Sequence, residues 1–147
     1  MSDSCLNHIE RYWQKLTLSA NELFDQGECN KALSSYQDAL YRAEVLNNYA
    51  NQCESLKIPF KQVYIISCNN LAYTYEKLGK LKKAEKLLRR VVYFLLHLTR
   101  NKNYNQKEIK SELKRATLSY LSFSKNNNTE KEKQKHLMTR LKEEITE

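Results

Sequence analysis

Apolar side chains recur at steps of three and four through Leu16, Ala20, Leu23 and Phe24, pause at Gly27, and resume with Ala32, Leu33, Tyr36, Ala39, Leu40 and Ala43. Those steps put side chains on one face of a helix. A glycine between two such stripes supplies the left-handed backbone that ends a helix at little steric cost. The segment therefore reads as helix, tight turn, helix, with Ala20 and Ala32 where two backbones approach closely. The same order returns later: Leu71, Ala72 and Tyr75 precede Gly79, and Leu81, Ala84, Leu87, Leu88 and Val91 follow it.

A shift of 52 residues, from Gly27 to Gly79, superposes the two segments. Ala20 falls on Ala72, Leu23 on Tyr75, Ala32 on Ala84, Tyr36 on Leu88, Ala39 on Val91 and Leu40 on Val92. A small residue, a bulky one three later, a turn glycine, then alanine, a bulky residue and a small one: this order resembles the tetratricopeptide repeat. The resemblance covers Trp13 to Leu46 and Ile65 to Leu98. It implies antiparallel helical hairpins stacked as a short α-α superhelix, with a peptide groove lined by the first helix of each hairpin. Two departures stand out. The copies start 52 residues apart rather than the family's about 34, and neither carries the proline that usually closes a repeat.

The surplus lies in Val45 to Tyr64. The spacing of Tyr36, Leu40, Ala43, Ala50 and Cys53 predicts that the helix runs on, with a break at Pro59. A helix starting near Phe60 or Lys61 then uses Val63, Ser67 and Leu71 as its inner face. Beyond Arg100 the stretch NKNYN interrupts the pattern, and Ile109, Leu113, Ala116 and Tyr120 begin another helix. The SKNNN stretch from Ser124 to Asn128 reads as its turn, Thr129 with Glu132 as a capping box, and Leu137, Leu141 and Ile145 as the stripe of a last helix. Leu6, Ile9, Tyr12, Trp13 and Leu16 lengthen the first helix. The expected fold is all-α, with elongated helices in one tetratricopeptide-like domain over 1–147. Its hairpins span about 4–57 and 60–99, with a degenerate capping hairpin at about 105–146.

Composition narrows the class. Two glycines and one proline leave a β-sandwich or barrel without its turns. No apolar run approaches the roughly 18 residues of a membrane span, and Met1 to Arg11 lacks a signal-peptide core, so a cytoplasmic location without membrane insertion is expected. Cys5, Cys29, Cys53 and Cys68 form no CxxC pair, and His8, His97 and His136 lie far from any ligand-like cluster. They read as reduced thiols and as packing or surface imidazoles, with no metal and no cofactor. Phosphate loops, HExxH, GxSxG and paired carboxylates on one helix face are absent from the sequence, so a non-enzyme is expected.

Charge adds a functional expectation. Residues 1–60 carry 5 Lys/Arg against 8 Asp/Glu, whereas residues 61–147 carry 20 against 9. Lys80, Lys82, Lys83, Lys86, Arg89 and Arg90 cluster after Gly79, and Lys107, Lys110, Lys114 and Arg115 follow on the next helix. A basic half on a repeat scaffold points to an acidic peptide or protein segment as partner, in the manner of an adaptor or co-chaperone. A solvated face accounts for the same charge. Nucleic acid is an alternative partner, although no aromatic residues interleave with the basic cluster. A small secretion or assembly chaperone is another reading, and self-association stays open.

The tetratricopeptide resemblance also implies candidate contacts. In co-chaperones of this type two asparagines and several basic residues clamp carboxylates. Asn21 and Asn70 occupy the matching asparagine places, and Lys110 and Lys114 supply basic groups if Ala116 is the small contact residue of the third hairpin. If Leu113 begins that pattern instead, Ser111 and Arg115 face the groove. The basic residue of the first helix is replaced by Thr17.

Overall fold

The computed structural model describes residues 1–127 and 131–146, and the side chains within 131–134 and 144–146 are not described. Among the described residues the chain is all-α, with seven helices and no strand. They fall into two compact units, Met1–Lys80 and Leu81–Glu147.

The first unit contains α1 (Asp3–Asp25), α2 (Cys29–Asn48), α3 (Ala50–Ser55) and α4 (Phe60–Lys77). Ser2 starts α1 by accepting the Cys5 N–H at 3.1 Å, which satisfies one of the amides a helix start leaves orphaned. Helix α2 is central, packing against both α1 and α4. It can do so because Ala32, Ala39 and Ala43 are almost completely buried and let neighbouring backbones approach. Leu6 and Ala20 of α1 and Val63, Cys68 and Ala72 of α4 complete the interior. Trp13 donates its indole N–H to Ser67 Oγ at 2.7 Å, and Ser67 donates in turn to the Val63 carbonyl at 2.8 Å. Both buried polar groups are thereby satisfied while α1 is tied to α4.

The turn at Gly27 has φ +80°, with the Glu28 N–H bonded to the Leu23 carbonyl at 2.9 Å. The turn at Gly79 repeats it, with φ +75° and the Lys80 N–H on the Tyr75 carbonyl at 2.8 Å. A third copy follows α3: Lys57 takes φ +59°, and the Ile58 N–H bonds to the Cys53 carbonyl at 2.9 Å. All three make the six-to-one bond of a Schellman ending. Only the third uses a residue with a side chain, and the buried Ile58 beside it explains how the turn is held.

The segment from Val45 to Cys53 is helical except at Tyr49, where φ −120° and ψ +41° separate α2 from α3. The break frees the Leu46 carbonyl, which accepts the Tyr49 N–H at 3.0 Å and the buried Cys53 thiol at 3.5 Å. Pro59 stands immediately before α4, as the sequence predicts. The short α3 is thus an extra element inserted between the hairpin α1–α2 and helix α4.

The second unit contains α5 (Leu81–Leu98), α6 (Gln106–Asn127) and α7 (Lys131–Thr146), with α5 packed on α6. Ala84, Leu88, Val91, Val92, Leu95 and Leu96 of α5 are buried, as are Ile109, Leu113, Tyr120 and Phe123 of α6 and Leu137 and Leu141 of α7. Ala116 is half-buried. Asn105 opens α6 by accepting the Glu108 N–H at 3.2 Å, so the stretch that interrupts the apolar pattern also caps the next helix. Helix α6 runs through Ser124 to Asn127, where the sequence suggests a turn. Burial of Phe123 and Ser124 carries it onward, and Asn127 donates its side-chain amide to the Phe123 carbonyl at 3.0 Å. Asn128, the proposed Thr129 cap, and the side chains of its partner Glu132 and of Ile145 lie outside what is described.

Candidate functional site

Two concavities contain four of the five candidate residues. The first belongs to the unit Met1–Lys80 and is lined by Asn21, Phe24, Asp25, Tyr36, Asn70 and Tyr73, with a volume of about 320 Å³. Helix α1 contributes Asn21, Phe24 and Asp25 at steps of three and four, which share one face. Helix α4 contributes Asn70 and Tyr73 in the same relation. Tyr36 comes from α2. Its ring is buried and its hydroxyl donates to Asn21 Oδ1 at 2.5 Å, which fixes the carboxamide's orientation. One residue further along α2, Gln37 donates to the Tyr75 hydroxyl at 3.0 Å, so consecutive side chains link α2 to α1 and to α4.

The electrostatics of this pocket are acidic. Burial pushes the Tyr36 hydroxyl above its ordinary pKa, and the negative charge of Asp25 raises it further. None of the ion pairs among the described residues involves Asp25. Thr17, which replaces the basic residue that the clamp resemblance expects, is buried one turn before Asn21 and its hydroxyl has no hydrogen-bond partner. Asn21 and Asn70 are thus brought together, but their charged neighbour is a carboxylate.

The second concavity lies along α6 and is lined by Lys110, Leu113, Lys114, Thr117 and Leu118, with a volume of about 450 Å³. These positions repeat at three, four, seven and eight, one face of a helix. Thr117 donates its hydroxyl to the Leu113 carbonyl at 2.7 Å, so its polar atom is satisfied within the helix. Leu113 is buried, Leu118 is 59% exposed, and two exposed lysines border them. Arg115 is not among the lining residues; it pairs with Glu112 one turn back at 2.7 Å.

The aromatic lining of the first pocket and Leu118 in the second were not candidates from sequence. Tyr73 stands three residues after Asn70, which is a usable signal once α4 is known to present that face. Leu118 lies off the stripe formed by Ile109, Leu113 and Tyr120, and an apolar residue outside the core stripe is the only trace it leaves. Among the described residues no group of three His, Cys, Asp or Glu is placed to hold a metal ion, and no helix is long and apolar enough to cross a membrane.

Comparison with known proteins places this architecture in one family without assigning it an activity. No curated protein and no solved structure matches the chain. One family model does, over residues 11–146, and its description is protein of unknown function (DUF2753). The match spans both units, from the middle of α1 to the end of α7, and on that evidence the chain belongs to the DUF2753 family.

Proposed function

We propose that this chain is a non-catalytic, tetratricopeptide-like binding module that takes up an acidic segment of another protein on α6. The observation that carries this reading is the pairing of Lys110 and Lys114 with Leu113, Thr117 and Leu118 around one concavity. An exposed leucine beside a buried one gives a partner apolar surface to cover, and two lysines on the rim suit carboxylates flanking that contact. The wider charge distribution supports the same sign, since residues 61–147 hold 20 of the 25 Lys/Arg. Adaptor and co-chaperone-like roles follow from the repeat resemblance.

The test is affinity for the partner recovered by pull-down, measured by calorimetry at low and high salt. Exposed lysines contribute modestly, so Lys110→Ala with Lys114→Ala should cost about 1 to 2 kcal/mol, or roughly five- to thirtyfold in Kd. Leu118→Asp should weaken binding further by placing a carboxylate on the apolar floor. Lys82→Ala with Lys86→Ala removes equal charge from α5 and is the control. Equal loss in both lysine pairs would reduce the effect to general attraction, and no loss in the α6 variants would remove this surface as the site.

A further inference from the structure

We infer that the pocket formed by α1, α2 and α4 binds a cation, namely the guanidinium of an arginine side chain presented by a partner protein. Its chemistry is opposite in sign to that of the α6 groove, and its test does not depend on that groove. Three features converge. Asp25 brings a full negative charge to the lining and has no ion-pair partner among the described residues. Phe24, Tyr36 and Tyr73 supply aromatic rings, whose faces attract cations, and Tyr73 is 49% exposed and hence available to an incoming group. Asn70 supplies a carboxamide oxygen that can accept from a guanidinium, whereas the Asn21 oxygen already accepts from Tyr36.

Arginine suits this set better than lysine. Its planar guanidinium stacks on an aromatic face while its edge donates to a carboxylate, and it sheds water more readily than an ammonium. The pocket's volume of about 320 Å³ is on the scale of one long side chain rather than an extended peptide. A carboxylate fares poorly here, because it would enter beside Asp25 with no lysine or arginine in the lining to offset the repulsion. Tyr36 is held by Asn21 and buried, so the rear of the pocket is set before any ligand arrives.

The experiment is an amide-shift titration of the full chain by NMR with four blocked amino acids: N-acetyl amides of arginine, lysine, citrulline and glutamate. Citrulline keeps the shape of arginine without its charge. The arginine derivative should give saturable shifts at Asn21–Asp25 and Asn70–Tyr73, and citrulline and glutamate should bind at least fivefold more weakly. Asp25→Asn, a change at an exposed position whose folding is checked by circular dichroism, should reduce arginine affinity at least fivefold, and Tyr73→Ala likewise. Lys110→Ala with Lys114→Ala should leave these shifts unchanged. Absence of shifts at both segments, citrulline or glutamate matching arginine, or full affinity in Asp25→Asn would each overturn the assignment. Lysine binding as tightly as arginine would overturn the choice of guanidinium.

Discussion

Tyr120 of α6 donates its hydroxyl hydrogen to Glu85 Oε1 of α5 at 3.0 Å, and the same carboxylate oxygen lies 3.2 Å from an Arg89 guanidinium nitrogen. Tyr120 is fully buried and Glu85 nearly so. A carboxylate at that depth needs its partners, because an unsatisfied buried acceptor costs far more than a hydrogen bond gains. Tyr120→Phe keeps the ring and removes the donor. It should cost about 1 to 3 kcal/mol in urea unfolding, and an unchanged midpoint would mean that Arg89 alone satisfies Glu85.

The same pair predicts a pH effect. Burial first, then the hydrogen bond and charge of Glu85, push the Tyr120 hydroxyl up from 10.0 to about 12. The folded chain therefore holds this proton where the unfolded chain releases it, and the contribution is complete below pH 10 and lost as pH rises toward 12. Wild type should lose stability more steeply over that window than Tyr120→Phe. Parallel curves would contradict the coupling.

The three left-handed turns give a paired test. Open space surrounds a Cβ placed on Gly27 or Gly79, so Gly→Ala there meets no clash and should cost about 1 kcal/mol from backbone strain alone. Lys57→Gly relieves that strain but frees the unfolded chain, and should be neutral or stabilising by up to about 1 kcal/mol. Destabilisation of Lys57→Gly by more than that would show that the lysine side chain holds the turn.

Thiol chemistry should separate the cysteines by position. Cys5 is exposed, Cys29 half-buried, and Cys53 and Cys68 buried. Burial, with the charges of Glu10 and Glu54, raises the Cys53 pKa and depletes its thiolate. An alkylating reagent followed by mass spectrometry should mark Cys5 first, Cys29 more slowly, and Cys53 and Cys68 only after denaturation. Prompt labelling of Cys53 in the folded chain would contradict the packing around Leu46.

Ala32 and Ala84 are both fully buried. Replacing either with leucine forces extra volume into a close helix contact and should lower stability by roughly 1 to 3 kcal/mol. Unchanged melting in both variants would mean that neither contact is tight.

The turns at Gly27 and Gly79 and the four alanines Ala20, Ala32, Ala72 and Ala84 were legible because small residues and glycine carry one physical meaning each at those spacings. The left-handed turn at Lys57 was not, since lysine gives no hint of positive φ. The interruption at Tyr49 was equally silent: no glycine or proline marks it, and only the Leu46 carbonyl's second donor explains it afterwards. In the other direction, the polar stretch after Ser124 looked like a turn, but neighbouring burial at Phe123 extends the helix through Asn127. The sites divide in the same way. Asn21 and Asn70 could be paired through the repeat, and Lys110 with Lys114 through helical spacing. The presence of Asp25 and Tyr36 beside those asparagines depends on how three helices meet, which no spacing along one helix records.

The central place of α2 has a consequence for the order in which the chain is made. Helix α1 precedes α2 across a tight turn, so these two can pair early through local contacts, while the side of α2 that meets α4 stays uncovered until residues beyond Phe60 have been synthesised. A nascent chain from which α2 has emerged but α4 has not would therefore show apolar surface to chaperones, and completion of α4 is the event that withdraws it.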